Sequence, residues 1–140
     1  MSFGESVMTC FRKYVDFKGR ASRAEYWWFF LFAVLAYVTG GMIGVALRTN
    51  VLLLLVFLGV FLPLLSAAVR RLHDTGRSGW WYLIALIPYV GGIVLIVLLA
   101  LRGNRGPNEY GSAPGVPAMP LGNVGPLPPP PPNQGSGFAR

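Results

Sequence analysis

The residues with the greatest potential for chemistry are concentrated between Arg70 and Trp81. A helix continued through the first half of this stretch would place Arg70, His73 and Asp74 on neighbouring positions of one face, with Arg71 beside them. One interpretation is a basic pocket for a lipid headgroup, a phosphate or the acidic segment of a partner. The alternative is a set of cationic anchors and caps that only orients the helices.

A second charged group, Arg20, Arg23 and Glu25, precedes a long apolar run. If that run and the stretch after Arg70 meet at one membrane face, their opposite charges can pair. The pairs open to them are Glu25 with Arg70 or Arg71, and Asp74 with Arg20 or Arg23.

Short sequence signals mark three helix ends. Ser22 and Glu25 have the spacing of a capping box, in which a hydroxyl and a carboxylate satisfy the backbone N–H groups that open a helix. Gly76 suits the C′ position of a helix that ends near Asp74, and Ser78 suits the cap of the next helix.

The composition argues against an enzyme. The chain has one histidine, His73, and one cysteine, Cys10, so neither a metal ligand set nor a nucleophile with its base and orienting group can be assembled from neighbouring residues. Phosphate-binding and dinucleotide-binding glycine motifs are also missing from the sequence. The sequence therefore predicts a protein that is not an enzyme and uses no cofactor or metal.

The elements that hold these residues are apolar. Hydrophobic residues make up 54% of the 140 and charged residues 12%, against about 45–50% and 25% in globular proteins. Uncharged blocks at 26–47, 51–69 and 80–101 would each reach roughly 28–33 Å as helices, enough to cross a membrane once. We therefore expect an all-α membrane protein with three transmembrane helices.

Lysine and arginine positions predict the orientation. With three crossings, the cations before the first helix and in the second loop outnumber those on the other side, which places the N-terminus in the cytoplasm and the C-terminal tail outside. The net charge of +7 then reflects topology and anionic lipid, and no nucleic-acid partner is expected.

The ends of the chain differ from its middle. Residues 1–25 form a cytoplasmic segment in which positions 3–15 have amphipathic helical spacing, as an interfacial helix or as a short helix packed under the bundle. Cys10 is expected to be a small apolar member of its buried face. Residues 26–111 form the transmembrane domain. Residues 112–140, rich in glycine and proline, are expected to be disordered.

Small residues recur on the first long helix. Ala36, Gly40 and Gly44 stand four apart, which allows a second helix to approach closely. That helix could be the third helix of the same chain or the first helix of another copy. Packing within the chain is favoured, whereas packing between copies would support an oligomeric pore or a small-solute transporter.

Two segments together resemble a known family. The runs Phe17–Trp27 and Arg70–Trp81, followed by later landmarks, are similar to the YhaH-like small bacterial inner-membrane proteins of domain of unknown function 805. The later landmarks are Ile87, Pro88, Gly91, Gly103, Gly106, Asn108, Tyr110, Gly111 and Pro114. The resemblance covers about Tyr14 to Pro114 and leaves out the proline-rich tail. It implies a polytopic helical protein of the bacterial cytoplasmic membrane and supplies no activity.

These observations favour a non-enzymatic accessory or scaffold protein. Its cytoplasmic face would bind anionic lipid headgroups or a membrane protein partner, possible partners including another copy of the chain. The residues predicted for this face are Arg20, Arg23, Glu25, Arg70, Arg71, His73 and Asp74.

Overall fold

A computed structural model of the chain describes residues 1–116, and the expected disorder of the tail beyond residue 116 lies outside the described residues. The described part is helical. Its elements are α1 (Phe3–Arg12), α2 (Arg23–Ala46), α3 (Val51–Asp74), a 3₁₀ helix (Gly79–Leu86) and α4 (Gly91–Ala100).

Two helices are long and apolar enough to cross a membrane, α2 and α3, each of 24 residues. Leucine, valine and phenylalanine side chains remain exposed along both helices, as a lipid-facing surface requires. The two helices run antiparallel, and the turn at Arg48 joins them at one end. The opposite end, where α2 begins and α3 ends, is called the basic end below.

The strip of small residues on α2 packs against α3. A Cβ atom on Gly40 would lie 3.1 Å from Cγ2 of Val56, and one on Gly44 would lie 2.7 Å from the Thr49 carbonyl oxygen. Gly40 therefore packs within the chain, as favoured. Its partner is the second long helix rather than the third, because the short turn at Arg48, which contains Thr49, brings α3 onto this part of the strip.

The third apolar block departs most from its prediction. In place of one helix over residues 80–101, the chain forms the 3₁₀ helix and then the ten-residue α4, which is too short to cross. Gly79 lies against Val69, and the Leu99 carbonyl oxygen accepts a hydrogen bond from Nε of Arg71. Both ends of the block therefore lie at the same level of α3, and the block is a hairpin.

The sequence at the tip explains the reversal. Pro88 has no backbone N–H to continue a helix, and Tyr89 takes a left-handed φ of 66°. Gly91 then packs so closely under the Ile84 carbonyl that a Cβ atom would overlap it. The N–H groups of Ile87, Val90 and Gly91 bond within the turn. The proline and glycine thus form a turn where the prediction had only a kink.

The hairpin changes the position of the segment after α4. Residues 102–116 return to the basic end, where they contact Arg20 and Asp74. Three crossings would have carried them to the other end, whereas here they lie at the same end of the bundle as the residues before α2.

The N-terminal helix α1 packs against the bundle, as in the second of the two alternatives. Its buried residues are Ser6 and Cys10, while Phe11 makes edge-to-face contacts with Phe29 and Phe32 of α2. The hydroxyl of Ser66 in α3 donates to the carbonyl oxygens of Lys13 and Asp16, just after α1. A capping box of Ser2 and Glu5 begins the helix.

Cys10 is fully buried, and burial raises the pKa of its thiol to about 11. The raised pKa keeps the thiol protonated near neutral pH, and burial excludes reagents, so reaction of this single cysteine with a thiol reagent reports unfolding.

We expect Gly40→Leu to destabilise the bundle, because the added side chain would overlap Val56. Overpacking of this kind costs about 1–3 kcal/mol. The effect is measured by thermal unfolding in detergent, with the reaction of Cys10 with a fluorogenic maleimide as the readout. Gly41→Leu is the matched control, since a Cβ atom there meets nothing within 4 Å. Equal melting temperatures for the two variants would contradict the packing described.

Candidate functional site

The basic end is organised around the carboxylate of Asp74, the last residue of α3. Oδ1 accepts from Nε of Arg20 at 2.9 Å, and Oδ2 pairs with Nη1 of Arg71 one helical turn earlier. The Arg20 and Arg71 side chains are 1% and 0% exposed, and that of Asp74 is 7% exposed. One carboxylate thus balances two buried guanidinium groups.

Arg71 connects this carboxylate to the end of α4. Its remaining N–H groups donate to the carbonyl oxygens of Leu99 and Leu101. The last carbonyls of a helix have no partner within the helix, and a cation close to them is also favoured by the helix dipole. Arg71 is therefore the C-terminal cap of α4 and holds the hairpin closed at the basic end.

Arg20 binds the segment that follows α4. Its Nη1 donates to the Gly106 carbonyl oxygen at 2.7 Å, and Nη2 donates to that of Asn104. Gly103 passes so close to the carboxylate of Asp74 that a Cβ atom would overlap it. The backbone of this segment therefore wraps around the ion pair and excludes water from it.

Arg70 and Glu25 form a second buried ion pair, between α3 and the first turn of α2. Ser22 caps α2 by accepting from the Glu25 N–H at 3.1 Å. The capping box predicted here is therefore only half formed, because the carboxylate of Glu25 turns to Arg70 instead of to the helix end. Nε and Nη2 of Arg70 are buried without a hydrogen-bond partner among the described residues.

His73 lies half-buried at the edge of this network. Its Nδ1 is 3.2 Å from the Gly19 carbonyl oxygen, and its ring stacks on Tyr110 with centroids 3.9 Å apart. The side-chain amide of Asn108 donates to the His73 carbonyl oxygen at 2.8 Å. The histidine is thus held between the N-terminal segment and the segment after α4.

The network agrees with part of the prediction. Glu25 pairs with Arg70, and Asp74 pairs with Arg20, each one of two alternatives. Arg71 also joins Asp74, a pair that the sequence analysis did not include. Gly76, with a φ of 73°, and Ser78 take the predicted cap positions. Arg23 is exposed and has no ion pair within residues 1–116.

The part that residues 103–111 play was not predicted, because a third crossing would put them at the other end of the bundle. Several of these small and polar residues are family landmarks, and Gly103, Asn108 and Tyr110 all contact the network. The available signal was the clustering of these landmarks directly after the third apolar block.

The arrangement is suited to holding segments together. Its buried charged side chains are paired with one another, and those of Arg20 and Arg71 also bond to backbone carbonyls. Residues 1–116 contain no group of three or more His, Cys, Asp or Glu that could hold a metal ion. Five of the seven predicted site residues, Arg20, Glu25, Arg70, Arg71 and Asp74, are therefore internal rather than part of an open surface.

Within residues 1–116, two helices long and apolar enough to cross a membrane are closed at one end by buried ion pairs, an architecture typical of helical membrane proteins. The family model described as protein of unknown function (DUF805) matches residues 14–112, and the chain belongs to this family. The match confirms the resemblance and its extent.

Two relatives carry the location in their names. The chain is 40% identical over 112 residues to "Inner membrane protein YhaI" of Escherichia coli (strain K12), covering 76% of this chain and 92% of the relative. It is 38% identical over 109 residues to "Inner membrane protein YhaH" of the same strain, covering 74% and 90%. No solved structure matches the chain.

We expect Asp74→Asn to destabilise the protein strongly, because two buried guanidinium groups lose their counter-charge. Removing one partner of a buried ion pair costs about 3–5 kcal/mol. The loss of stability is measured by denaturant or thermal unfolding in detergent, with maleimide labelling of Cys10 as the readout. Glu109→Gln is the control, since this carboxylate is exposed. A stability within about 0.5 kcal/mol of the parent, the range of ordinary surface substitutions, would show that Asp74 does not hold the network.

Proposed function

We propose that the chain is a non-enzymatic accessory protein of the bacterial inner membrane whose exposed cations at the basic end bind anionic lipid headgroups on the cytoplasmic side. The observation that carries the proposal is the distribution of positive charge between the two ends of the bundle.

The difference in positive charge between the two ends of the bundle is larger than three crossings would give. Because the hairpin returns residues 102–116 to the basic end, Arg48 is the one lysine or arginine of residues 1–116 at the opposite end. The positive-inside rule then assigns the basic end to the cytoplasm. The cations of that side are Arg12, Lys13, Lys18, Arg20, Arg23, Arg70, Arg71, Arg77, Arg102 and Arg105.

The topology we propose has two crossings, α2 and α3, and a hairpin that enters from the cytoplasmic side and returns to it. The hairpin arms would reach roughly 15 Å, about half of the hydrocarbon core. Both the N-terminus and residues 102–116 are then cytoplasmic.

Buried and exposed cations have different roles in this proposal. The three buried arginines are bonded to Glu25, Asp74 and backbone carbonyls, so a headgroup could reach them only by breaking the network. Arg12, Lys18, Arg23, Arg102 and Arg105 are exposed. A cation near an anionic membrane surface contributes about 1 kcal/mol to its attraction.

The same contacts support a role without catalysis. His73 is held by the Gly19 carbonyl and by Tyr110, and Asp74 is bonded to two arginines, which leaves them poorly placed to transfer protons to a substrate. Gly40 of the small-residue strip packs against Val56 of α3, so packing within the chain accounts for part of the strip, while Ala36 and Gly40 also line an open apolar groove.

Cysteine accessibility tests the topology. In a Cys10→Ser background, single cysteines replace Ser2, Asn50 and Ser112. A membrane-impermeant maleimide added to right-side-out spheroplasts should label only the cysteine at position 50, since the other two face the cytoplasm. Labelling at position 112 without lysis would contradict the hairpin topology and restore three crossings.

Lipid co-purification tests the binding proposal. Arg23→Gln, Arg102→Gln and Arg105→Gln combined should lower the phosphatidylglycerol retained by the protein in native mass spectrometry, with up to about 1 kcal/mol lost per cation. Arg48→Gln, at the other end, should leave it unchanged. Equal retention by both variants would contradict lipid binding at the basic end.

A further inference from the structure

An open cavity of about 470 Å³ lies between α3, the 3₁₀ helix and the segment before Arg20. Phe17, Leu65, Val69, Trp80 and Leu83 form most of its wall, so the wall is largely apolar. The volume falls in the range of about 300–1,000 Å³ that is usual for ligand pockets.

The cavity lies where the apolar part of α3 ends. Leu65 and Val69 belong to the last turns of the uncharged run, while His73 and Ser78 add polar groups to the lining beyond it. Trp80 is 78% exposed and Leu83 is 50% exposed, so the cavity opens on the same surface that lipid covers. An amphipathic molecule fits this gradient, with its apolar part toward Leu65.

Two cations are the chain neighbours of residues that line the cavity. Lys18 directly follows Phe17, and Arg77 directly precedes Ser78. Neither cation has an ion pair within residues 1–116, unlike Arg20, Arg70 and Arg71. Two exposed carboxylates are also near: Asp16, whose Oδ1 accepts from the Lys18 backbone N–H at 3.0 Å, and Glu109, beside Tyr110. An anionic group placed between Lys18 and Arg77 gains from both cations, and Asp16 opposes part of that gain.

We propose that this cavity is a binding site for one anionic phospholipid, whose acyl chain lies along Leu65, Val69 and Leu83. Its phosphate is held at the rim by Ser78, Lys18 and Arg77. The inference rests on the proposed lipid-binding function and gives that function a defined site, separate from the diffuse attraction of Arg23, Arg102 and Arg105.

Tryptophan quenching tests the site in the full-length chain. Phe replaces Trp27, Trp28 and Trp81, which leaves Trp80 as the one fluorophore of this type, and the protein is placed in phosphatidylcholine vesicles. Brominated-chain phosphatidylglycerol should quench Trp80 at about a fivefold lower mole fraction than brominated-chain phosphatidylcholine, as expected for cation-assisted binding. Equal quenching by the two lipids would overturn the proposal.

Two pairs of variants test separately the cations at the rim and the space inside the cavity. Lys18→Gln with Arg77→Gln should remove the phosphatidylglycerol preference, whereas Arg48→Gln, at the opposite end of the bundle, should keep it. Leu65→Phe with Leu83→Phe should reduce it by narrowing the cavity, whereas Leu62→Phe with Leu86→Phe, outside the lining, should not. Protection of Cys10 from maleimide confirms that each variant is folded. A preference unaffected by both test pairs would overturn the site.

The outcome also separates this site from the general function. If the protein retains phosphatidylglycerol in native mass spectrometry but Trp80 shows no preference, the cavity proposal is wrong and lipid binding at the basic end remains. If neither measurement detects phosphatidylglycerol, both proposals fail.

Discussion

One carboxylate at the end of α3 determines how the rest of the chain is arranged. A buried ion pair is a poor source of stability by itself, because desolvation offsets the attraction unless hydrogen bonds use the remaining donors. Here they do. Arg20 and Arg71 share the two oxygens of Asp74 and donate their other N–H groups to backbone carbonyls of residues 99–106. One interaction thereby joins the N-terminal segment, α3, the end of α4 and the segment after it.

The hairpin follows from this constraint and from lipid chemistry. A non-helical backbone inside a bilayer is tolerated only where its polar groups find partners. The turn at Pro88 bonds its own N–H groups, and Arg71 takes the carbonyls at the end of α4. A 22-residue apolar block is long enough to cross the membrane once or to form a hairpin that enters and returns, so length alone cannot distinguish a crossing from a hairpin. The cap supplied by Arg71 makes the return favourable.

The sequence predicts what depends on local composition. The apolar runs of α2 and α3, the caps at Gly76 and Ser78, and one correct partner each for Glu25 and Asp74 all depend on residue type and spacing. The hairpin could not be predicted in this way, because its closure depends on a contact between Arg71 and Leu99, 28 residues apart. A third block predicted to cross puts Asn104 and Asn108 at the other end of the bundle, away from the network that they contact.

The burial of the motif residues also explains why family membership gives an architecture without an activity. The two stretches that carry the resemblance contain Arg20, Glu25, Arg70, Arg71 and Asp74, which the structure places inside the protein. Substituting any of them would first change the fold. Chemistry directed outward must depend on exposed or half-buried neighbours such as Lys18 and Arg77, whose side chains are free of these constraints. In this chain the two stretches therefore act together to close the bundle, and the residues around them are the ones left free to face outward.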